Sequence, residues 1–484
     1  MSNSSQASQR IAALLDDNSF VEIGAMVTAR ATDFDLKQTE TPSDGVITGY
    51  GVIDGNLVYV YSQDASVLNG TVGEMHAKKI ANLYDLALKT GAPVIGLIDS
   101  AGLRLQEATD ALNAFGEIYM KQTLASGVIP QITAIFGACG GGLALFPTLT
   151  DFTFMEATKA KLFVNSPNAL DGNYAEKNDT AAADFQSAEA GIVDVVADEA
   201  EVLSQIRTLV SLLPGNNEDD ASYVECTDDL NRASAELANC VGDTSVALSI
   251  IADDNVFFET KAAYAKEMVT GFIKLNGVTV GAVANRSEVV DEEGKVAEKF
   301  DAVLTAKGAE KAADFINFCD AFSIPVLSLT NVKGYEATVC SEKKIAKAVA
   351  KLTYAFANAT VPKVNVVIGQ AMGSAYVAMN SKAIGADLTL AWENAQIGAM
   401  DAKTAAQIIY NGQGNDVIAE KAKEYEKAQT SAAGAAKRGY VDQIINAADT
   451  RKYVIGAFEM LFTKRDDRPA KKTWNCIRKD DIRL

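Results

Sequence analysis

The sequence predicts an α/β protein made of two similar domains in tandem. Three features favour this class: the length of the chain, an internal repeat, and short apolar strands that alternate with helical segments. At 484 residues the chain is long for one domain, but it suits two that each bury their own core. Apolar residues make up 48% and charged residues 22%, which is typical of a globular chain and not of a disordered one.

The repeat has a fixed offset. Four pairs of residues that begin strands or follow them are each separated by 232 positions: Pro93 and Pro325, Gly102 and Gly334, Pro130 and Pro362, and Gly141 and Gly373. Such a series indicates a duplication. Upstream, Thr48–Gly55 resembles Thr270–Gly277 at an offset of 222, so the second copy contains about ten extra residues, for which we expect the charged stretch 287–299.

The boundary between the copies is expected in Leu213–Asp220, because this segment combines turn-forming residues with acidic ones. We therefore predict an N-terminal domain of residues 1–218 and a C-terminal domain of residues 219–484.

In each copy an amphipathic helix precedes the first strand. In the first copy Ala77, Ile80, Ala81, Tyr84 and Leu88 share one face at helical spacing. Strands and helices then alternate, which favours buried strands in an α/β architecture. Periodicity alone leaves two architectures open, a Rossmann sheet and a β-β-α spiral.

Two uncharged segments, Gln122–Thr150 and Val364–Ser381, invite a membrane-spanning interpretation. Internal proline or glycine residues and glutamines fit a helix in lipid poorly. We predict a strand, a glycine turn and a buried helix in each.

The composition excludes several functional classes. A net charge of −19 repels nucleic-acid phosphates, so no nucleic-acid partner is expected. The six cysteines have no Cys-x-x-Cys spacing, and His76 is the one histidine, which argues against zinc sites, disulfide frameworks and multi-histidine metal sites. The first nine residues lack the basic and apolar regions of a secretory signal. We expect a cytoplasmic protein with no metal.

The candidate chemistry lies in two glycine-rich turns, Gly137–Gly142 and Gly369–Ala375. Small residues allow a ligand to approach the backbone, and the start of the following helix presents free N–H groups to a developing oxyanion. The earlier turns, Ser100–Gly102 and Lys333–Tyr335, could each add a second N–H. Glycines after strands can also serve close helix packing alone. Their matched recurrence favours two oxyanion holes.

Motifs along most of the chain, from about Phe20 to about Leu461, closely resemble the biotin-dependent acyl-CoA carboxyltransferase family. They are Asp44–Gly51, Gln63–Asp64, Gly73–Ile80, Asp99–Glu107, Ala125–Gln131, Phe318–Phe322 and Ala359–Val364. The family includes carboxyltransferase subunits of propionyl-CoA and acetyl-CoA carboxylases, transcarboxylase, and sodium-pumping methylmalonyl-CoA and glutaconyl-CoA decarboxylases.

The resemblance implies two tandem crotonase-like (ClpP/crotonase) β-β-α spiral domains. It implies that the N-terminal domain binds the acyl-CoA and holds its thioester oxygen as an enolate through the amides of Gly141 and Gly142. Ala101, Gly102 and Gly140 are then expected beside the substrate.

By the same resemblance the C-terminal domain binds biotin. The amides of Ser374 and Ala375 would polarise its ureido oxygen, with Gly334, Tyr335 and Gly373 close by. The stretch 376–382 looks most similar to methylmalonyl-CoA decarboxylases and transcarboxylase, so methylmalonyl-CoA is the expected substrate.

The resemblance also implies partners. The chain has no Met-Lys-Met biotin-acceptor motif, so biotin is expected on a separate carrier protein. Biotin carboxylase or membrane decarboxylase subunits would complete the complex, which could place the protein beside a membrane. An active site shared between protomers implies a homo-oligomer, a dimer or a hexamer.

The C-terminal half departs from the family pattern. Asn331–Tyr335 stands where relatives commonly have Asp-Val-Pro-Gly-Phe, and Gly369–Tyr376 where they have Arg-Lys-Ala-Tyr-Gly-Gly-Ala-Tyr. Two alternatives therefore stay open: a biotin-independent crotonase-type hydratase or hydrolase, and a non-catalytic scaffold subunit.

Four further residues are expected to be structural. Arg104 and Glu107 are spaced for an ion pair at a helix start. Cys139 is expected to be a small buried side chain. We assign no chemical role to His76.

Overall fold

The computed structural model describes residues 5–30, 40–173, 177–219, 225–291 and 293–466. The chain divides into two compact units, the first running to residue 220 and the second beginning at residue 221. Asp220, at the end of the acidic connection, lies outside the described residues. The boundary between residues 218 and 219 stays a prediction.

The first unit is built on an eight-stranded sheet in the order β1-β2-β3-β4-β5-β6-β8, with β7 beside β5. Strands β1 to β3 pair antiparallel, and the pairs from β3 onward are parallel. The strands are β1 (Val21–Ile23), β2 (Val46–Ile53), β3 (Asn56–Gln63), β4 (Val94–Ser100), β5 (Gln131–Gly140), β6 (Phe152–Glu156), β7 (Lys161–Phe163) and β8 (Val195–Ala197). The helices are α1 (Gln6–Leu14), α2 (Glu74–Thr90), α3 (Ala108–Ala125), α4 (Leu145–Leu149) and α5 (Glu199–Leu212).

The second unit repeats this sheet in the order β18-β16-β15-β14-β11-β10-β9, with β17 beside β15. Its strands are β9 (Phe257–Thr260), β10 (Met268–Leu275), β11 (Val278–Asn285), β12 (Glu288–Val290), β13 (Val296–Lys299), β14 (Val326–Val332), β15 (Lys363–Met372), β16 (Leu388–Trp392), β17 (Gln396–Gly398) and β18 (Gln443–Ile445). Its helices are α6 (Thr244–Ile251), α7 (Ala306–Ala321), α8 (Val339–Glu342), α9 (Ile345–Asn358), α10 (Gly373–Ala378), α11 (Ala402–Ile409), α12 (Asn415–Tyr425), α13 (Ala432–Lys437) and α14 (Thr450–Leu461).

The strand register confirms the duplication residue by residue. In the first unit Tyr59 pairs with Val94, and in the second Gly281 pairs with Val326, which reproduces the offsets of 222 and 232. The extra residues form a separate two-stranded sheet, β12 with β13, inside the predicted stretch 287–299. The predicted α/β class with parallel-rich sheets is therefore confirmed.

Helix α2 packs its predicted apolar face inward. Ala77, Ile80, Ala81 and Tyr84 are buried, and Leu88 is partly buried. Removing such apolar surface from water contributes about 25 cal/mol per Å², which holds the helix against β2 and β3. Ala77, Ile80 and Tyr84 belong to one core cluster of the first unit, and Leu88 packs against it.

The two uncharged segments form the predicted strand, turn and helix. Each contains one long strand, β5 or β15, that is buried over its first six residues, then a glycine, and then a short helix. Among the described residues no helix has the length and apolar character needed to cross a membrane.

Candidate active site

The first glycine turn lies where β5 ends. Gly140 closes the strand, and Gly141–Ala144 form one tight helical turn before α4. Gly141 has a φ of +64°, which disfavours any side chain at this position. Gly141 is half-buried and Gly142 is exposed, and N–H groups at a helix start have no acceptor within the helix. The turn can therefore present N–H groups to a ligand.

The turn that follows β4 lies against this one. Ser100 pairs with Cys139 across the parallel ladder, and a Cβ added at Gly102 would be 3.4 Å from the carbonyl oxygen of Gly140. The structure therefore brings together two segments, about 40 residues apart, that were predicted to share one oxyanion hole.

The N–H groups expected from this second segment already have acceptors. The Ala101 N–H donates to the Asn69 carbonyl oxygen at 3.0 Å. The Gly102 N–H donates to the Ser100 hydroxyl at 3.1 Å. Either group would have to break a hydrogen bond before it could hold a substrate oxygen.

Leu103, which the sequence did not single out, is better placed to supply the second donor. It forms a parallel bridge with Val72, in which the Val72 N–H donates to the Gly102 carbonyl oxygen at 2.8 Å and the Arg104 N–H donates to the Val72 carbonyl oxygen at 3.0 Å. Parallel pairing of this kind directs the N–H of the central residue away from the partner strand. Within the described part of the chain, the Leu103 N–H has no acceptor.

The second unit repeats the glycine turn. Strand β15 ends at Met372, and α10 begins at Gly373, which has a φ of +63°. Ser374 is exposed, and Ala375 is buried with 1% of its surface accessible. As in the first unit, the start of a helix presents backbone N–H groups at the end of the long central strand.

The turn after β14 meets this second glycine turn through two hydroxyl groups. The Tyr335 hydroxyl donates to the Ser374 hydroxyl at 2.9 Å. Two predicted site residues, 39 positions apart, are therefore in direct contact.

Tyr335 also occupies the position that Leu103 occupies in the first unit. It bridges Leu304, whose N–H donates to the Gly334 carbonyl oxygen at 2.9 Å, and the Glu336 N–H donates back to Leu304 at 2.9 Å. The Tyr335 N–H is thus directed away from this bridge, as is that of Leu103.

A cleft of about 600 Å³ opens beside the second turn. This volume lies within the range of small-molecule sites. Its lining mixes apolar side chains with lysines, carboxylates and amides: Val303, Lys333, Gly334, Tyr335, Gln370, Met372, Gln396, Asp401, Ala402, Lys403, Ala422, Lys423, Glu426 and Thr430.

A buried ion network lies next to the turn that contains Leu103. Arg104 is 2% exposed and contacts Glu107 at 2.9 Å, which confirms the predicted pair. It also contacts Asp44 at 2.6 Å, a partner that the sequence did not indicate, and donates to the Thr71 carbonyl oxygen at 2.7 Å. Burial raises the pKa of Asp44, and the charge of Arg104 opposes that rise. Because Arg104 follows Leu103, this network fixes the backbone of the candidate hole.

His76 belongs to the same buried network. Its ring nitrogens lie 3.2 Å from the Gln63 amide nitrogen and 2.9 Å from the Asp44 carbonyl oxygen. Burial lowers the pKa of His76 to about 3, so the ring is neutral at physiological pH. This environment confirms the structural role that was predicted for His76.

Cys139 is fully buried beneath the first glycine turn, as predicted. Burial raises the pKa of its thiol, and the sulfur lies 3.5 Å from the Leu143 carbonyl oxygen. A thiol in this state is a poor nucleophile, which leaves the backbone N–H groups as the candidate functional groups of the turn.

Comparison with known proteins points in one direction. Residues 2–476 match the carboxyl transferase domain model. The chain is 38% identical to the methylmalonyl-CoA decarboxylase subunit alpha of Propionigenium modestum, covering 97% of this chain and 92% of that protein. It is also 38% identical to the propionyl-CoA carboxylase beta chain of Roseobacter denitrificans, covering 96% and 92%.

A solved structure matches the fold. The crystal structure of transcarboxylase 12S, described as a hexamer assembly with hydrolysed methylmalonyl-coenzyme A bound, superposes with a TM-score of 0.90 at 37% identity, covering 97% of this chain and 92% of that one. The match confirms the prediction of two tandem crotonase-like domains.

Proposed function

The chain belongs to the carboxyl transferase domain family, and from this membership we propose that it transfers a carboxyl group between biotin and methylmalonyl-CoA or propionyl-CoA. The observation that carries the proposal is the duplicated glycine turn. Each unit places N–H groups at the end of its long central strand, at positions 232 residues apart. Two such turns suit a reaction in which two carbonyl-type oxygens gain negative charge.

The first turn would act on the acyl-CoA. When the carboxylate leaves a malonyl-type thioester, the electron pair of the broken C–C bond stays on the thioester as an enolate. In this proposal the N–H groups of Gly141, Gly142 and Leu103 would stabilise the enolate oxygen. Removing one such donor from an enzyme typically slows the reaction about 10² to 10³-fold. No ionisable side chain is needed for this step.

The lining of the cleft in the second unit supports the proposed binding of biotin there. Its cleft combines an apolar wall, which includes Met372 and Val303, with amide and ammonium groups, and this mixture suits a fused ring that carries a polar ureido group. The N–H groups of Ser374, Ala375 and Tyr335 would hold the ureido oxygen. Bound biotin supplies the nitrogen that accepts the carboxyl group and gives its proton to the thioester α-carbon in exchange.

We propose that biotin arrives on a separate carrier protein, together with biotin carboxylase or membrane decarboxylase subunits. The lack of a Met-Lys-Met motif supports a separate carrier. We also propose a homo-oligomer in which one copy supplies the acyl-CoA turn and another supplies the biotin turn. The hexamer described for transcarboxylase 12S supports this assembly.

The test is chromatographic. Purified protein is incubated with free biotin and methylmalonyl-CoA, and propionyl-CoA is followed over time. Malonyl-CoA and glutaconyl-CoA are run in parallel to define the acyl group. Biotin-dependent formation of propionyl-CoA is expected, and release of free CoA or formation of a hydrated acyl-CoA without biotin would instead support a hydrolase or a hydratase.

A further inference from the structure

The two candidate holes differ in one respect, although their backbones repeat. Position 335 corresponds to Leu103, and position 374 corresponds to Gly142, at the offset of 232. The second hole therefore has two side-chain hydroxyls, from Tyr335 and Ser374, at positions where the first hole has none. These hydroxyls lie 2.9 Å apart and join the two turns.

The direction of this hydrogen bond leaves one proton available. Tyr335 donates and Ser374 accepts. A serine hydroxyl carries one proton and two lone pairs, so Ser374 keeps its own proton for another acceptor. Among the described residues no acceptor receives that proton, and Ser374 is exposed at the start of α10.

The first turn also has a neighbouring tyrosine, but its hydroxyl is used differently. The Tyr119 hydroxyl donates to the Gly142 carbonyl oxygen at 2.6 Å. That bond orients the backbone of the turn and leaves no hydroxyl to face a ligand. The additional donor is thus confined to the second unit.

We propose that the Ser374 hydroxyl is a fourth donor to the ureido oxygen, beside the three backbone N–H groups of the second hole, and that the Tyr335 hydroxyl orients it. This inference rests on the proposed biotin site and extends it from backbone to side chain. A ureido oxygen has two lone pairs in a plane and receives electron density from two nitrogens, so it accepts several hydrogen bonds. A hydroxyl whose lone pair is already engaged by Tyr335 is polarised and becomes a stronger donor.

Two variants isolate the hydroxyls and leave the backbone N–H groups in place. Ser374→Ala removes the proposed donor, and alanine is well tolerated in helices. Tyr335→Phe removes the orienting bond and retains the ring. Tyr440→Phe is the matched control, because Tyr440 is an exposed tyrosine of the same unit outside the cleft lining.

Binding and turnover are measured together. We expect Ser374→Ala to weaken the binding of free biotin, measured by calorimetry, and to lower kcat/KM for biotin about 10- to 100-fold, with the KM for methylmalonyl-CoA unchanged. Tyr335→Phe should have a smaller effect in the same direction. The double variant should match Ser374→Ala, because Tyr335 acts through Ser374. Tyr440→Phe should behave as the wild type.

Unchanged biotin binding and turnover in Ser374→Ala would overturn the inference, provided that the wild type transfers carboxyl to biotin. Independent, additive losses in the double variant would also overturn it. A wild type that neither binds biotin nor uses it would instead overturn the proposed function, and the inference with it.

Discussion

The substitution Gly141→Ala separates the folding role of the first glycine turn from its proposed chemical role. Gly141 has a φ of +64°, and a Cβ added there would meet no atom within 4 Å. The substitution therefore adds backbone strain without a steric clash. Strain of this kind costs about 1 kcal/mol, which lowers the Tm of a unit of this size by about 2–4 °C.

The expected loss of activity is larger. The new methyl group occupies open space where the thioester oxygen is proposed to bind, and relief of the strained φ rotates the neighbouring Gly142 N–H. Loss of one oxyanion donor costs about 2.7–4 kcal/mol of transition-state stabilisation, which corresponds to a rate decrease of about 10² to 10³-fold. Gly141→Ala should thus fold nearly normally and transfer carboxyl poorly.

Gly55→Ala is the matched control. Gly55 has a φ of +83° and equally open surroundings, but it lies in the turn between β2 and β3. Tyr59 of β3 pairs with Val94 at the beginning of β4. This turn therefore lies near the start of β4, at the opposite end of the strands from the turns that follow β4 and β5. Both variants should lose similar Tm in thermal denaturation, and Gly141→Ala alone should lose biotin-dependent propionyl-CoA formation. An equal loss of activity in the two variants would refute the assigned role of Gly141.

Three other substitutions test buried side chains of the two units. Arg104→Met leaves the buried carboxylates of Asp44 and Glu107 without their cation and should lower the free energy of unfolding by about 3–5 kcal/mol in urea titrations; a loss below about 1 kcal/mol would show that the network is dispensable. Burial lowers the pKa of Lys311 from 10.5 to about 7. Between pH 7 and pH 10.5 the Lys311 amine is therefore protonated in the unfolded chain and mostly neutral in the folded one. The free energy of unfolding of the wild type should therefore rise relative to that of Lys311→Met from pH 7 to 9, by about 1.4 kcal/mol per pH unit, and a pH-independent difference would contradict the lowered pKa. Cys139→Ala should retain carboxyl transfer, because burial suppresses the thiolate; inactivation of a folded variant would indicate that the thiol takes part in the reaction.

Much of the fold can be predicted from the sequence because the two copies have proline and glycine residues at corresponding positions. Prolines at strand starts and glycines at strand ends mark the same backbone positions in both units, and the constant offset reports the register directly. The pairing of Ser100 with Cys139 recurs as Val332 with Ala371. The chemical identity of the ligands could not be obtained in this way and came from the resemblance to a family.

The structure brings the predicted turns together, but it makes the Leu103 N–H a better candidate donor than those of Ala101 and Gly102, and this difference has a physical cause. No pattern in the sequence indicates that Val72 pairs with Leu103, because a parallel bridge depends on long-range contacts. That bridge determines which N–H groups of the turn donate hydrogen bonds within the chain and which remain available to a ligand. The contact of Asp44 with Arg104, 60 positions apart, was missed for the same reason, whereas the local pair with Glu107 followed from helical spacing.

The measurement that tests the central claim most directly is the formation of propionyl-CoA from methylmalonyl-CoA by the purified chain, with and without free biotin. The account predicts product that depends on biotin and is largely lost in Gly141→Ala. Binding of methylmalonyl-CoA with no turnover, even when a biotin carrier protein is supplied, would contradict it and favour a non-catalytic scaffold.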